Sequence, residues 1–309
     1  MGHFKRTKVK KIMQKINQIK ENISLVNYTT IKVGGYSDYF AEPSNIKELI
    51  YLIKWAKYNN LECFILGAGS NTLLKDITLK KLTICTRRLK TIKINPETNL
   101  VHAQCGALLP NFSTLLAKSS LIEGEWAVGI PGTIGGAIFM NAGTGNNSIS
   151  NNLISVKVID PNTLEIVDID SKDIEFNYRF SSFQENKLII LEAKFLFRER
   201  GNKKDIINNT KNILTQRKMI QPYHLPSFGS VFKNPSNHFA GKLIEESGLK
   251  GLAIGGAEIS RMHANFIVNR HAATSDDVLG LIMLIQKKVL EKKGILLHPE
   301  VRMIGFDYP

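Results

Sequence analysis

An α+β protein of two or three domains is what this sequence predicts, on three observations. Apolar residues recur at helical spacing in some segments and alternate in strand fashion in others, the two kinds intermixed along the chain. One polar, unpatterned stretch, Arg198-Glu199-Arg200-Gly201-Asn202-Lys203-Lys204, breaks this order and reads as a domain boundary. The 309 residues, 43% hydrophobic and 22% charged, suffice for more than one ordinary core.

The first twenty residues carry Lys5, Arg6, Lys8, Lys10, Lys11, Lys15 and Lys20 and no acid. Val9, Ile12, Met13, Ile16 and Ile19 fall at helical spacing, so residues 1–26 read as a basic arm with a short amphipathic helix. The arm has no continuous apolar segment of the kind a signal peptide needs, and the expected location is cytoplasmic. Asn27–Val33 is a β-prone run stopped by Gly34-Gly35. Asn45 and Glu48 are spaced as a capping box for a helix with Ile46, Leu49, Ile50 and Ile53 on one face. Cys63-Phe64-Ile65-Leu66 reads as a buried strand. Strands continue from Leu82 to Cys105, and a helix spans Pro110 to Ser120. Ile154, Val156 and Val158 alternate, Pro161-Asn162 turn the chain, and Leu188–Phe197 is a long strand. Beyond the boundary, helices are expected near Asp205–Met219, Leu243–Ser247 and from Thr274 to Gly294, then a strand from Val301 to Ile304.

Charge and cysteine usage narrow the function classes. The arm holds half of the net charge of +14, and the other 289 residues set 34 basic against 27 acidic side chains. Such a mildly basic body suits an anionic small molecule as well as a nucleic acid. Aromatics do not interleave with the basic residues as a single-strand groove requires, which weighs against nucleic acid. Cys63, Cys85 and Cys105 show no metal or redox spacing and read as buried free thiols. The histidines form no H-x-H or H-E-x-x-H pattern, so no metal site is expected. His263 and His298 read as structural or supporting groups. Leu188-Ile189-Ile190-Leu191, among the longest apolar runs, is too short to cross a bilayer, so no stable membrane insertion is expected.

Two glycine motifs stand out. Gly129-Ile130-Pro131-Gly132-Thr133-Ile134-Gly135-Gly136-Ala137 runs on to Asn141-Ala142-Gly143, without the Gly-Lys-Ser/Thr of a P-loop. It suits either a cradle whose N–H groups meet a ligand or a tight turn between buried strands. Gly67-Ala68-Gly69-Ser70-Asn71 follows a strand, but Thr72 replaces the third glycine of a dinucleotide fingerprint and no helix follows. Three polar sites complete the inventory: Tyr178-Arg179-x-Ser181-x-Phe183, Gly229-Ser230-Val231-Phe232-Lys233-Asn234-Pro235, and His298-Pro299-Glu300-Val301-Arg302. In the last, Glu300 and Arg302 share one face of a strand, where a modest ion pair is the plain expectation.

With Asn27-x-Thr29-Thr30…Gly34-Gly35 and His263-Ala264-Asn265-Phe266, these motifs in this order resemble the UDP-N-acetylenolpyruvoylglucosamine reductase (UDP-N-acetylmuramate dehydrogenase) family from Asn27 to Arg302. The resemblance implies an FAD-binding region of the vanillyl-alcohol-oxidase type over 27–200, in subdomains of about 27–88 and 89–200. A substrate-binding domain would occupy 201–309. It implies non-covalent FAD held by Gly67, Ala68, Gly69, Ser70 and Asn71, by Gly129, Ile130, Pro131, Gly132, Thr133, Gly135 and Gly136, and by Asn141, Ala142 and Gly143. NADPH would be the co-substrate and UDP-N-acetylglucosamine enolpyruvate the substrate, in a step of peptidoglycan precursor synthesis. Arg179, Ser230 and Glu300 would be catalytic, with Ser230 the proton donor. Tyr178, Lys233, Asn234, Arg302 and Arg217 would hold the substrate, and the enzyme would act as a monomer.

The chain departs from the family pattern at Thr144-Gly145-Asn146, where Ala-Tyr-Gly is usual. Only Gln184-Glu185-Asn186-Lys187 follow Phe183 before the next strand, which places the chain in the branch without a substrate-covering loop. Two other readings stay open on residues alone: a flavin-dependent oxidase of a small alcohol, and a basic nucleic-acid-binding protein.

Overall fold

Residues 19–307 are described by the structure, a computed structural model. The basic helix expected over residues 9–19 lies outside them except for Ile19. The chain opens with β1 (Lys20–Ser24), β2 (Tyr36–Ala41), α1 (Ile46–Tyr58), β3 (Cys63–Leu66), β4 (Thr72–Leu74) and β5 (Thr78–Cys85). β1, β2, β5 and β3 form a sheet in that order, antiparallel between β1 and β2 and parallel elsewhere. A parallel pairing needs a crossover, and α1 lies in the one from β2 to β3. Asn45 caps α1 by accepting the Glu48 N–H, while the Glu48 carboxylate reaches back to the Ser44 N–H.

Two expectations change here. Asn27–Val33 is no strand: a 3-10 turn at Val26–Tyr28 leads into irregular chain, and the strand begins only at Tyr36, beyond the glycine pair. The Thr29 hydroxyl donates to the Val33 carbonyl at 2.8 Å and accepts the Val33 N–H at 3.2 Å, closing a loop that an extended run would open. Lys20–Ser24, inside the range read as arm, is an edge strand on β2.

Next come β6 (Ile92–Ile94), β7 (Leu100–Gln104), α2 (Leu109–Lys118), α3 (Ile134–Met140), β8 (Gly143–Thr144), β9 (Asn147–Ser148), β10 (Leu153–Ile159), β11 (Ile166–Asp170), β12 (Phe176–Asn177), β13 (Phe180–Ser181) and β14 (Ile189–Leu196). β11, β10, β14, β7 and β6 make an antiparallel sheet in that order. One buried cluster joins the two sheets, from Leu49 and Ile53 of α1 to Val156 and Phe195.

The remainder comprises α4 (Lys203–Ile220), β15 (Ser227–Ser230), α5 (Ala240–Glu246), β16 (Ala253–Ile254), β17 (Ala257–Ile259), β18 (Phe266–Asn269), α6 (Ser275–Lys293) and β19 (Arg302–Ile304). α4 follows the polar stretch at 198–204 yet packs back on α2 and on the 3-10 turn Glu125–Gly129. α6 starts at a capping box between Thr274 and Asp277 and stops at Gly294, whose φ of +68° suits glycine. Val278, Leu281, Ile282, Ile285 and Val289 form its buried face, as their spacing predicts. A second core gathers these residues with Phe228, Val231 and Ile267, and takes in Ile31, Val33 and Leu73 from the start of the chain.

The seam between the halves is hydrogen-bonded as well as apolar. β19 pairs in parallel with β4. Asp76 and Ser275 exchange two hydrogen bonds, and the Asn269 side chain donates to the carbonyls of Ile31 (3.0 Å) and Lys32 (3.3 Å). Asn269 also accepts the Ala273 N–H at 2.9 Å and is buried. Asn269→Ala would leave those groups without partners inside the seam. We expect it to lower unfolding free energy by about 2–4 kcal/mol, read as a shift of the urea midpoint; a loss below about 0.5 kcal/mol would show that the seam does not depend on it.

Candidate functional site

A cleft of about 1480 Å³ lies between the halves. Its walls are the Gly67–Asn71 loop, the glycine run from Gly129, the turn at Arg179, the 221–230 segment, and Glu300 with Arg302. The two glycine motifs, 60 residues apart in sequence, touch each other here. Ser70 Oγ donates to the Pro131 carbonyl at 3.0 Å. A Cβ on Gly67 would sit 2.6 Å from Thr133 Oγ1, so only glycine permits that approach.

The long glycine run divides in two. Ile134 and Gly135 donate their N–H groups to the carbonyls of Ala107 and Cys105, both at 2.8 Å, and a Cβ on Gly135 would press on Cys105. That half opens α3 and packs it on the chain leaving β7. The other half, Ile130–Thr133, is irregular chain after the 3-10 turn that ends at Gly129, and the N–H groups of Gly132 and Thr133 donate to no partner among the described residues. The same holds for Ala68, Gly69, Ser70 and Asn71. These unpaired donors sit in loops that line the cleft, which suits an anionic cofactor group.

Fourteen of the fifteen residues expected at the cofactor line the cleft; Asn141 does not. It caps the C-terminal end of α3 with φ +43° and donates from Nδ2 to the Asn177 carbonyl at 2.9 Å. Its neighbourhood tells why: Ser181 and Gln184 both bond the Phe139 carbonyl, so the C-terminal end of α3 anchors the β12–β13 hairpin that carries Arg179. Thr144-Gly145-Asn146, where the family pattern lapses, form the tip of the small β8–β9 hairpin, and Thr144 faces the cleft.

The three residues expected to react, from three distant segments, all line the cleft. Arg179 Nε lies 2.9 Å from Glu300 Oε1, with the side chains 21% and 15% exposed. The Nε–H is not aimed at that oxygen and finds no hydrogen-bond partner among the described residues, so Arg179 keeps donor capacity to spare. Burial pushes the Glu300 carboxyl above the usual carboxylate range, with Arg179 and Lys233 pulling the other way. The expected Glu300–Arg302 pair is not found: the Arg302 guanidinium lies 5.1 Å from the Phe139 ring centroid instead. Ser230 ends β15, half-buried in the cleft wall, after Gly229 with φ +81°. Glu300 is tied to the next residue, Val231, whose carbonyl accepts the Glu300 N–H at 2.7 Å.

The residues expected to hold the substrate divide. Arg217 and Arg302 line the cleft, and Arg217 Nη1 donates to the Gly129 carbonyl at 3.3 Å. Tyr178, Lys233 and Asn234 are not part of that wall. Tyr178 Oη accepts the Asn234 N–H at 3.2 Å, and Asn234 Oδ1 accepts the Ala240 N–H at 3.0 Å as α5 begins.

The C-terminal domain of UDP-N-acetylenolpyruvoylglucosamine reductases matches residues 221–304, and an FAD binding domain matches residues 37–168. A UDP-N-acetylenolpyruvoylglucosamine reductase of Prochlorococcus marinus subsp. pastoris is 59% identical over 290 residues, 94% of this chain and 98% of its own. The chain belongs to the UDP-N-acetylenolpyruvoylglucosamine reductase family. The same-named protein of Prochlorococcus marinus strain MIT 9313 is 45% identical over 92% of this chain and 93% of its own. The crystal structure of the Thermus caldophilus reductase superposes with a TM-score of 0.77 at 31% identity, covering 92% of this chain and 99% of that one. This reductase is therefore an FAD-dependent oxidoreductase, with the expected α+β organisation of a flavin-binding module followed by the family's C-terminal domain.

Sequence reasoning missed several residues of the reductase site. Arg87, which lines the cleft, donates from Nη2 to the carbonyls of Tyr28 (2.7 Å) and, in the first glycine loop, Ala68 (2.6 Å). Tyr223 Oη bonds the Gly129 carbonyl, and the Asn265 side chain brackets Phe232 by bonding both its N–H and its carbonyl. Only Asn265 carried a signal, as part of the His263–Phe266 motif. His263 Nδ1 accepts the Asn265 N–H, and burial lowers its pKa, in keeping with a structural histidine. Of the three thiols, Cys63 is half-buried instead of buried; burial pushes Cys63 and Cys85 up to about 11.

The contact between Gly67 and Thr133 gives a direct test of the cradle. Gly67→Ala should force the two loops apart and yield protein with less bound FAD than the parent, measured as flavin absorbance per chain. Full flavin content would mean that the close approach is unimportant for holding the cofactor.

Proposed function

We propose that this reductase converts UDP-N-acetylglucosamine enolpyruvate to UDP-N-acetylmuramate with NADPH as reductant, a cytoplasmic step of peptidoglycan precursor synthesis. The observation that carries this reading is that Arg179, Ser230 and Glu300 line one cleft with both glycine loops, with Arg179 set against Glu300. FAD, when bound, relays a hydride from NADPH to C3 of the enolpyruvyl group. The glycine loops would hold it through their unpaired N–H groups.

An enolpyruvyl ether is electron-rich and accepts hydride only if its carboxylate draws off the charge that arrives. Negative charge then develops on C2 and on that carboxylate, where fixed donors act most strongly in a water-poor site. Arg179 supplies a permanent cation with an unused Nε–H. Glu300 can donate to the substrate carboxylate only as the neutral acid, since its ionised form would repel it. Burial favours the neutral form. Ser230 gives its proton to C2; a hydroxyl suffices because the carbanion is a strong base. The Val231 backbone, bonded to Glu300 N–H on one side and to the Asn265 carbonyl on the other, fixes Ser230 and Glu300 relative to each other. Arg302 and Arg217 offer further cations along the wall to an anionic substrate, and Tyr178, Lys233 and Asn234 lie outside it as a binding surface for the nucleotide end.

NADPH consumption on addition of UDP-N-acetylglucosamine enolpyruvate tests the reading as a whole; oxygen-dependent turnover of simple alcohols without use of the UDP-sugar would overturn it. Stopped-flow kinetics then separates the steps. Ser230→Ala is expected to leave reduction by NADPH within about twofold while slowing reoxidation by the UDP-sugar by about 10²–10⁴; equal losses in both halves would remove Ser230 from the proton-donor role. The pH dependence follows from Glu300. Its folded pKa is raised, so the neutral acid persists above the ordinary glutamate range and is lost as pH climbs through the raised value. The reoxidation rate should therefore fall along a limb set by that pKa, and Glu300→Gln should flatten the limb.

A further inference from the structure

The Gly67–Asn71 loop has no lysine or arginine of its own, yet its donors are turned the way an anion site needs. Two side chains of the same cleft lining, Arg87 and Thr30, hold its carbonyls. In a planar trans peptide, the carbonyl of one residue and the N–H of the next point in opposite directions. Arg87 Nη2 holds the Ala68 carbonyl at 2.6 Å, which turns the Gly69 N–H to the far side. Thr30 holds the Gly69 carbonyl from both its N–H (3.1 Å) and its hydroxyl (3.2 Å), which does the same to the Ser70 N–H. Neither N–H donates to any partner among the described residues. Gly69, with φ +65° and a Cβ position only 2.2 Å from the Tyr28 carbonyl, is the one residue type that permits this path.

Arg87 is itself fixed. The same Nη2 bonds the Tyr28 carbonyl at 2.7 Å, Nη1 reaches the Asn27 carbonyl at 3.4 Å, and the guanidinium lies 5.7 Å from the Tyr28 ring centroid. All three partners are uncharged, so no carboxylate among them neutralises Arg87. A cation on a peptide carbonyl draws electron density toward the oxygen and makes the N–H of that unit a stronger donor.

We infer that Arg87, with Thr30, is the positioning residue of the flavin diphosphate site, holding the Ala68 and Gly69 carbonyls back so that the Gly69 and Ser70 N–H groups face the diphosphate. This rests on the reading that the glycine loops hold the FAD diphosphate. Arg87 need not touch the phosphates; it acts through the Ala68–Gly69 peptide unit, as Thr30 acts through the next.

The test compares holoenzymes of the parent, Arg87→Met and Arg87→Lys by FAD dissociation constant, by ³¹P resonances of the bound diphosphate and by the visible flavin band. Arg87→Met is expected to weaken FAD by about tenfold or more and to shift the ³¹P resonances, with the flavin band unchanged. Arg87→Lys should recover part of the affinity. Unchanged affinity, or a loss of affinity with unmoved ³¹P resonances, overturns the inference. Should Arg87→Met fail to fold, Thr30→Val carries the same comparison, since it removes one of the two donors on the Gly69 carbonyl. Gly67→Ala serves as the control for the underlying reading. If it moves the ³¹P resonances and the Arg87 variants do not, only the role of Arg87 falls; if neither moves them, the diphosphate lies elsewhere.

Discussion

The parallel pairing of β19 with β4 is the contact on which the site depends. It lays the last strand of the chain beside the segment that follows the first glycine loop, with Arg302 opposite Thr72. Asn71 makes the join double-ended: its carbonyl accepts the Arg302 N–H, and its side chain donates to the Glu300 carbonyl, both at 3.0 Å. Glu300 therefore cannot move relative to the first glycine loop without breaking a ladder. Its own N–H is bonded to Val231, next to Ser230, so the pairing carries Ser230 and Glu300 into register with that loop. Apolar burial supports the same junction, because Ile31, Val33 and Leu73 belong to the C-terminal core.

A second rigid link runs through α3. Its N-terminal turn is tied to the chain after β7 through Ile134 and Gly135, and its C-terminal end holds the Arg179 hairpin through Phe139 and Asn141. Seven residues of helix thus separate the second glycine motif's loop from the hairpin that carries Arg179. Glycine at positions 135 and 136 lowers helix propensity, and the helix exists because tertiary bonds hold both ends. The two links meet at the Arg179–Glu300 pair.

Local pattern was readable where local physics decides it. The capped helices α1 and α6 follow from caps and periodicity, and the strand Cys63–Leu66 stands where it was expected, though only Leu66 of its four residues is buried. The glycine run was readable as a place for close backbone approach, but not as the start of a helix, because no local propensity favours one there. Asn27–Val33 has β-prone residues and still forms a loop, since Thr29 closes it on itself. The partner of Glu300 was misread for a related reason: Arg302 is two residues away and Arg179 more than a hundred, and only the folded hairpin brings the distant one nearer. Arg87 left no trace at all in the pattern. Its partners are backbone carbonyls, which every residue type presents.

Arg179 sits where a glycine would be more comfortable. The two-residue turn between β12 and β13 puts it at φ +55°, a left-handed conformation that costs a residue with a Cβ about 1 kcal/mol. Such a cost persists only where the surroundings over-determine the backbone. Here the hairpin is fixed on α3 through Phe139 and Asn141, and Gln184 Nε2 bonds the Arg179 carbonyl as well at 3.2 Å. A glycine would relax the turn and remove the cation. The left-handed turn sets the guanidinium beside Glu300 from a distant segment, so the strain at Arg179 and the burial of Glu300 belong to one arrangement. Burial alone would push the carboxyl further toward its neutral form and leave a substrate carboxylate without a counter-charge. Arg179 alone would ionise the carboxyl. Held together at 2.9 Å without a well-aimed hydrogen bond, they leave a permanent cation beside a carboxyl that burial keeps above its usual pKa.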